Sequence, residues 1–435
     1  MKSKVKIVGA GLAGSEAAYF LATHGVKVTL FDIKPARTTP AHHSGKFGEL
    51  VCSNSLKSND VYGNACGLLK EELRLLNSMV IAAADETRVA AGNALAVDRE
   101  AFAEKITEKL KEEKNIDIVC EEVTDIDFDE YTIVASGPLT TPPLEEKIKS
   151  VTGGNLFFFD AASPIVSKES IDMDYAFFGD RYGKGNGDHI NCPMDRETYE
   201  KFVDALLSAE KAEQKDFENT AVFEGCMPVE VMAARGKDTL RFGTLKPVGL
   251  YDPRTNKRGY ACVQLRREDE EGTMWNLIGF QTNLKWGEQK RVFSMIPALH
   301  DAEFLRYGVM HRNTFINSPE ALDADFSLRG RKKTFFAGQI TGVEGYVESV
   351  ASGLAAAIEV WLRLKEKPPV NFTRQTVLGA LADYISRAKD FQPMNANYGI
   401  LEMLNAVYKD KSLKKKAYAE RSLAMIAKIK ENIGI

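Results

Sequence analysis

The chain has 435 residues, long enough for two or three domains, and a 44% apolar fraction that suits a well-cored protein. A formal net charge of −4 gives no global sign of a nucleic-acid partner, and no window approaches 18 clean apolar residues, so no membrane span is expected. The six cysteines, Cys52, Cys66, Cys120, Cys192, Cys226 and Cys262, include no C-x-x-C pair and have no His-x-x-x-His partner. That leaves no metal site to expect, argues against a disulfide framework, and makes a reducing cytoplasm the simplest setting. The N-terminal stretch as far as Gly25 starts basic, but glycines, Ser15, Glu16 and His24 break its apolar run, so it does not read as a secretory signal.

"KVKIVGAGLAG" predicts a buried strand and a glycine turn, "SEAAYFLATHG" a helix and "KVTLFDIKP" the next strand. Together they form the crossover that parallel sheets require. Residues 38–66, rich in Thr, Ser, Asn, His and Gly, predict an irregular loop of the kind more often functional than idle. Helical periodicity follows at 67–78, and Asp98 caps an amphipathic helix in "DREAFAEKITEKLKEEKN". "IDIVCEEV", "YTIVASGP" and "NLFFFDAASPIV" predict strands, which assigns Cys120 to a core. From about 170 to 325, strand-like pieces alternate with Gly, Pro and Asp turns around one long helix, "DRETYEKFVDALLSAEKAEQKDF". The strand–glycine–helix pattern resumes at "KKTFFAGQITGVEGYVESVASGLAAAIEVWLRL", and residues 372–435 read as helical around a turn at "FQPMNANYG".

"GAGLAG" sets Gly9, Gly11 and Gly14 in the G-x-G-x-x-G pattern, with Ala10, Leu12 and Ala13 between them. Gly9 permits the tight turn, Gly11 leaves room for a pyrophosphate, and Gly14 lets the helix approach the strand. Asp32 ends the next strand, at the distance past Gly14 where an acid accepts ribose hydroxyls. Gly137 in "YTIVASGP" and the Gly338–Gln339 pair in the late strand–loop–helix unit stand where two-segment FAD folds return to their cofactor. Many flavoproteins carry Asp at the position of Gln339, which can donate as well as accept. The expected fold class is α/β, a two-segment FAD-binding Rossmann-like domain interrupted by an α+β insertion, with a helical C-terminal segment. Its first segment is 1–169, the insertion 170–325, and the second segment 326–435.

Seven stretches read together resemble the folate- and FAD-dependent tRNA (uracil-5-)-methyltransferases. They are "VKIVGAGLAGSEAA", "TPAHHSGKFGELVCSNSLKS", "INCPMDRETYEKFVDALLSAE", "FEGCMPVEVMAARGKDTLRFGTLKPVGL", "MHRNTFINSPEAL", "FFAGQITGVEGYVESVASG" and "FQPMNANYGIL", and they span almost the whole chain. Flavoproteins that modify the wobble uridine of tRNA share the FAD motifs but are much longer and lack the "GCMP" context. The resemblance implies methyl transfer to C5 of uridine 54 in the tRNA T-loop. Methylenetetrahydrofolate is then the carbon donor, and FAD, reduced by NADH or NADPH, carries the methylene on its N5. Folate and tRNA are the implied partners, with no membrane.

Attack of a thiolate on C6 of uracil makes C5 nucleophilic, so the chemistry asks for an activated cysteine. Cys226, just before a stretch of nine Lys/Arg and two Asp/Glu at 231–267, suits the nucleophile. Cys52, with Lys46 and Lys57 nearby in sequence, is by resemblance the second functional cysteine, a base or a shield of the flavin-bound carbon. Cys66, Cys120, Cys192 and Cys262 read as small core residues. His42 and His43 are candidates to polarise folate or flavin, and His311 and Arg312 to meet the substrate. Arg235, Lys237, Arg241, Lys246, Arg254, Lys257, Arg258, Arg266 and Arg267 are candidates for RNA phosphate, with Phe242 and Tyr251 for base stacking. A second basic run, eight Lys/Arg against three Asp/Glu, lies at 408–435. The competing readings are the same chemistry on ribosomal RNA and an FAD/NAD(P)H oxidoreductase of a small molecule.

Overall fold

The computed structural model describes residues 4–39, 41–212 and 227–435; in the strand Asn155–Ala161 and at His311 and Arg312 it describes the backbone alone. Strand β1 (Lys4–Val8) leads through the glycine turn into helix α1 (Leu12–Thr23) and back to strand β2 (Lys27–Phe31), parallel to β1 from Lys4↔Lys27 to Val8↔Phe31. Gly9 adopts φ +99°, and a Cβ there would stand 2.4 Å from the Ala135 carbonyl oxygen. A Cβ on Gly14 would stand 1.8 Å from the Gly9 carbonyl oxygen, so only glycine lets α1 press onto the turn.

Six strands form the first sheet in the order Ser327–Leu328, Arg331–Phe336, Thr132–Val134, β1, β2, Ile116–Val119. All neighbours run parallel except the outer hairpin at 327–336. The sheet therefore takes one inner strand, Arg331–Phe336, from far downstream of its partner Thr132–Val134, with the whole second sheet between them in the chain. Helix α1 packs against the long helix Tyr346–Leu364, where a Cβ on Gly353 would come within 2.3 Å of the Ala13 carbonyl oxygen. One core draws on residues 5–148 and 316–433, including the helices Val377–Arg387 and Lys411–Ile433. Buried Glu72 fastens these helices by accepting N–H groups of Val377 (2.7 Å) and Leu378 (2.9 Å) and the Ser422 hydroxyl.

The second sheet is antiparallel, in the order Phe177–Phe178, Ile190–Met194, Ala261–Arg267, Met274–Leu277, Ile165–Ser167, Phe304–Arg306. It has its own core, residues 166–302, in which Trp275, Phe280 and Phe293 are buried. A two-stranded ribbon, Asn155–Ala161 with Met310–Ile316, lies between the segments that build the two sheets.

Some predicted features differ. Residues 372–435 are helical only at Val377–Arg387 and Lys411–Ile433, with no helix from 388 to 410. The long helix of the second unit spans Arg196–Ser208, ending where Ala209 turns extended; the rest of its predicted span from 213 lies outside the described residues. Residues 38–66 are not irregular throughout, since Ser55–Ser58 pairs with Ala94–Val97, and Asn64 caps a helix that starts at Ala65. Cys120 is exposed, because its strand stops at Val119 and forms an edge of the sheet.

Candidate active site

The glycine turn opens on a cleft that runs past Asp32 and Lys34, Glu121–Val123, and Ser136–Thr141 to Gly338, Gln339 and Tyr346. Nothing lies within 4 Å of where a Cβ on Gly11 or Gly137 would be, so at both places the backbone itself faces open space. The helix-start geometry and this open cradle fit a dinucleotide pyrophosphate. The Asp32 carboxylate accepts N–H groups of Ala10 (2.6 Å) and Lys34 (2.8 Å), so it braces the turn as well as facing the cleft. Gly338, at φ +81°, donates its N–H to Ser352 Oγ (2.7 Å), and the Gln339 side chain donates to Glu344 (2.7 Å). His42 lines the cleft beside Thr39 (2.6 Å); burial first, then Lys34, pulls its imidazole down to about 4, so it is neutral at pH 7.

Beyond Tyr346, residues 50–54 form a loop wired almost wholly by distant side chains. The Tyr346 phenol oxygen accepts the N–H groups of Cys52 (2.8 Å) and Ser53 (3.1 Å). Arg99 donates to the carbonyls of Leu50 and Cys52, and Arg306 to that of Val51 (2.6 Å). Arg266 donates to Ser53 Oγ (2.6 Å) and Asn54 Oδ1 (3.1 Å), while Asn54 Nδ2 donates to the carbonyls of Val97 and Arg267. Buried Glu268 holds Arg99 at 2.9 Å. Burial raises the Tyr346 phenol and lowers the Arg266 and Arg306 guanidiniums. Burial also pulls Arg99 down, but Glu268, Tyr346 and Cys52 raise it on balance. A second cavity of about 560 Å³ shares Arg99, Glu268 and Arg306 with this cluster and is lined also by His43 and Glu49.

The cations beside Cys52 are thus not the expected lysines. Lys46 pairs with Glu104 (2.7 Å) and Glu100, and Lys57 lies 3.8 Å from Glu348. Sequence reasoning misses Arg99, Arg306, Tyr346 and Glu268. One signal is there to be read: Arg99 opens a helix, where the macrodipole disfavours a cation. Arg266 and Arg267 leave the set of RNA-facing cations, because Arg266 is bound into the Cys52 loop and Arg267 lies over Trp275. Cys226 lies outside the described residues, as do the side chains of His311 and Arg312. Cys66, Cys192 and Cys262 are buried.

Of the remaining basic candidates, Arg235, Lys237, Lys246, Lys257 and Arg258 are exposed. Arg254 is clasped by Asp252 (2.8 Å), and Arg241 donates to the Tyr260 carbonyl and lies 4.1 Å over its ring. Phe242 and Tyr251 stand out at 71% and 54% exposure beside them. The lysines 409, 411, 414, 415 and 416 are likewise exposed. Among the described residues no helix is long and apolar enough to cross a membrane, and no three His, Cys, Asp or Glu side chains gather as a metal site.

A parallel sheet whose first crossover carries a glycine cradle, closed by a late strand–loop–helix return, defines a dinucleotide-binding α/β protein with a split sheet domain. The family described as "Glucose inhibited division protein A" matches residues 4–368. A protein of Bacillus licheniformis is 53% identical over the full length of both chains, and one of Acetivibrio thermocellus is 55% identical over 97% of each; both are named "Methylenetetrahydrofolate--tRNA-(uracil-5-)-methyltransferase TrmFO". Among solved structures, GidA of Aquifex aeolicus superposes with TM-score 0.73 over the whole of this chain and 74% of its own, at 16% identity, a likeness of fold. The chain belongs to the glucose inhibited division protein A family and groups with these full-length relatives.

Proposed function

We propose that this protein is an enzyme that methylates C5 of a tRNA uridine with methylenetetrahydrofolate as carbon donor and FAD in the glycine-lined cleft. The carrying observation is the 53% and 55% identity to relatives of that name, across all or nearly all of the chain. The finer reading is uridine 54 of the T-loop as target, NADH or NADPH as reductant and a covalent adduct between Cys226 and C6. It is supported by the seven sequence stretches and by the way the Cys52 loop abuts the cleft at Tyr346.

In this reading Gly9–Gly14 and Asp32 hold the pyrophosphate and ribose of FAD, and Gly137, Gly338 and Gln339 hold its other half. Bound FAD supplies the redox chemistry that turns a one-carbon unit at the formaldehyde level into a methyl. The Cys226 thiolate bonds to C6, and the C5=C6 pair moves onto C5. Tetrahydrofolate is released as C5 takes the carbon, and two electrons from NADH or NADPH bring that carbon to the methyl level; the C5 proton passes to the Cys52 thiolate, the C–H pair restores the C5=C6 bond and the C6–S pair returns to Cys226. Each atom of both thiols is returned for the next turnover, given proton exchange with water. The exposed cations between Arg235 and Arg258 hold RNA phosphates, and the enzyme extrudes the target base from its folded loop.

Nucleoside mass spectrometry of tRNA treated with enzyme, methylenetetrahydrofolate and NAD(P)H tests this. The expected product is 5-methyluridine at position 54, lost when folate or FAD is withheld. Unmodified tRNA, from yellow and folded protein, overturns it.

A further inference from the structure

We infer that Tyr346, Arg99, Arg266 and Arg306 are positioning residues that hold Cys52 as a proton acceptor at the edge of the cleft. The inference rests on the role of Cys52 proposed above. Residues 50–54 belong to no helix or strand, so no regular ladder fixes them. Five of their main-chain polar groups end instead on these side chains: the carbonyls of Leu50, Val51 and Cys52 on two guanidiniums, and the N–H groups of Cys52 and Ser53 on one phenol oxygen. The four side chains come from four elements: the start of the helix Arg99–Glu112, the strands Ala261–Arg267 and Phe304–Arg306, and the start of the helix Tyr346–Leu364. The loop is thereby clamped between two helices of the first unit and two strands of the second sheet.

The charges facing Cys52 are unequal. Among the described residues, three guanidiniums feel a charge on its sulfur, and each stays cationic at neutral pH. One carboxylate, Glu268, opposes them from within the cluster. His43 stands near Arg306 and Arg99 with its imidazole lowered by burial, so it adds little positive charge at pH 7; its main-chain N–H is taken by Glu49 (2.7 Å). The Tyr346 phenol stays protonated. Cations this close favour a thiolate over a thiol, and a thiolate is the form that can take the C5 proton. The same Tyr346 side chain lines the dinucleotide cleft, so one residue locates both the bound cofactor and the sulfur.

The test is alkylation of Cys52 by iodoacetamide as a function of pH, read by peptide mass spectrometry on the flavin-loaded protein. It needs neither RNA nor folate. Arg306→Gln should raise the pH midpoint by about one unit and slow alkylation at pH 7 about tenfold, and Arg306→Lys should restore most of it. Arg266→Gln is the second variant if Arg306→Gln does not fold. Tyr346→Phe should leave the midpoint near wild type while methylation falls about tenfold or more, because the loop loses its fixed N–H acceptor. Exposed Cys120 serves as the internal control, with an unchanged rate throughout. An unchanged Cys52 midpoint in both arginine variants, with normal flavin content, overturns the inference whatever the methylation assay reports. A shifted midpoint in a protein that methylates no RNA upholds the positioning and sinks the proposed function alone.

Discussion

The glycine turn at 9–14 and the loop at 50–54 border the same cleft but are held by opposite means. The turn is shaped by what its own residues lack: side chains at Gly9 and Gly14 would collide with backbone within the same crossover unit or the strand beside it. The loop is shaped by what other residues bring, from Arg99 to Tyr346, out of two helices and the second sheet. A local device fails when one residue is enlarged. An assembled device degrades by steps as its ties are cut singly.

The largest effect should come from breaking the local device. Gly14→Val places a branched side chain where a Cβ alone is 1.8 Å from a carbonyl oxygen, so α1 must leave the turn. The expected loss is several kcal/mol together with the bound flavin, read by thermal unfolding and by absorbance. A yellow, normally stable Gly14→Val protein would contradict the packing described. Next in size, Arg266→Met cuts two ties of the Cys52 loop and leaves Ser53 and Asn54 without that donor. Turnover should fall about 10- to 100-fold with flavin content unchanged, on the basis of about 2 kcal/mol for bonds to a charged group. Loss of flavin along with turnover would mean that the two regions are not separable.

The third test uses pH. Glu16 in α1 accepts N–H groups of Met79 and Val80 and the Ser78 hydroxyl, and burial raises its carboxyl from 4.5 to about 7. A raised folded value favours the protonated form in the native state. Its contribution is full below about pH 4.5 and is lost as pH rises through about 7. Glu16→Gln should flatten stability against pH in that window and leave the alkylation midpoint of Cys52 where it was. A parallel change in both would join regions that the hydrogen bonds keep apart. The smallest effect concerns RNA. Lys411→Glu with Lys414→Glu, on the exposed start of the C-terminal helix, should lower the slope of log affinity against log salt by about 2 if both meet phosphate. An unchanged slope leaves them as solvated surface.

What the sequence discloses follows the same division. The β-α-β unit, the glycine turn at Gly9, Gly11 and Gly14, and the returning segment at Gly338 are written in contiguous residues with fixed spacing, and Gly9, Gly11 and Gly338 line one cleft. The surroundings of Cys52 are not contiguous. Arg99, Arg306 and Tyr346 stand 47, 254 and 294 positions from it, so no spacing rule joins them, and Lys46 and Lys57 are the cations that proximity in the chain suggests. Cys120 reads as core because an apolar run does not reveal that its strand is an edge. Arg266 reads as RNA-facing because a run of cations does not reveal which of them turn inward.

The split sheet carries a consequence for how the chain is made. Thr132–Val134 pairs on one side with β1, available at once, and on the other with Arg331–Phe336. At ribosomal speeds the roughly 200 intervening residues take on the order of 10–40 s to emerge. Throughout that interval the nascent sheet has an open edge, while the antiparallel unit between can fold on its own core. A chaperone that shields strand edges would therefore meet, besides the permanent edge at Ile116–Val119, a temporary one on the unfinished side of Thr132–Val134.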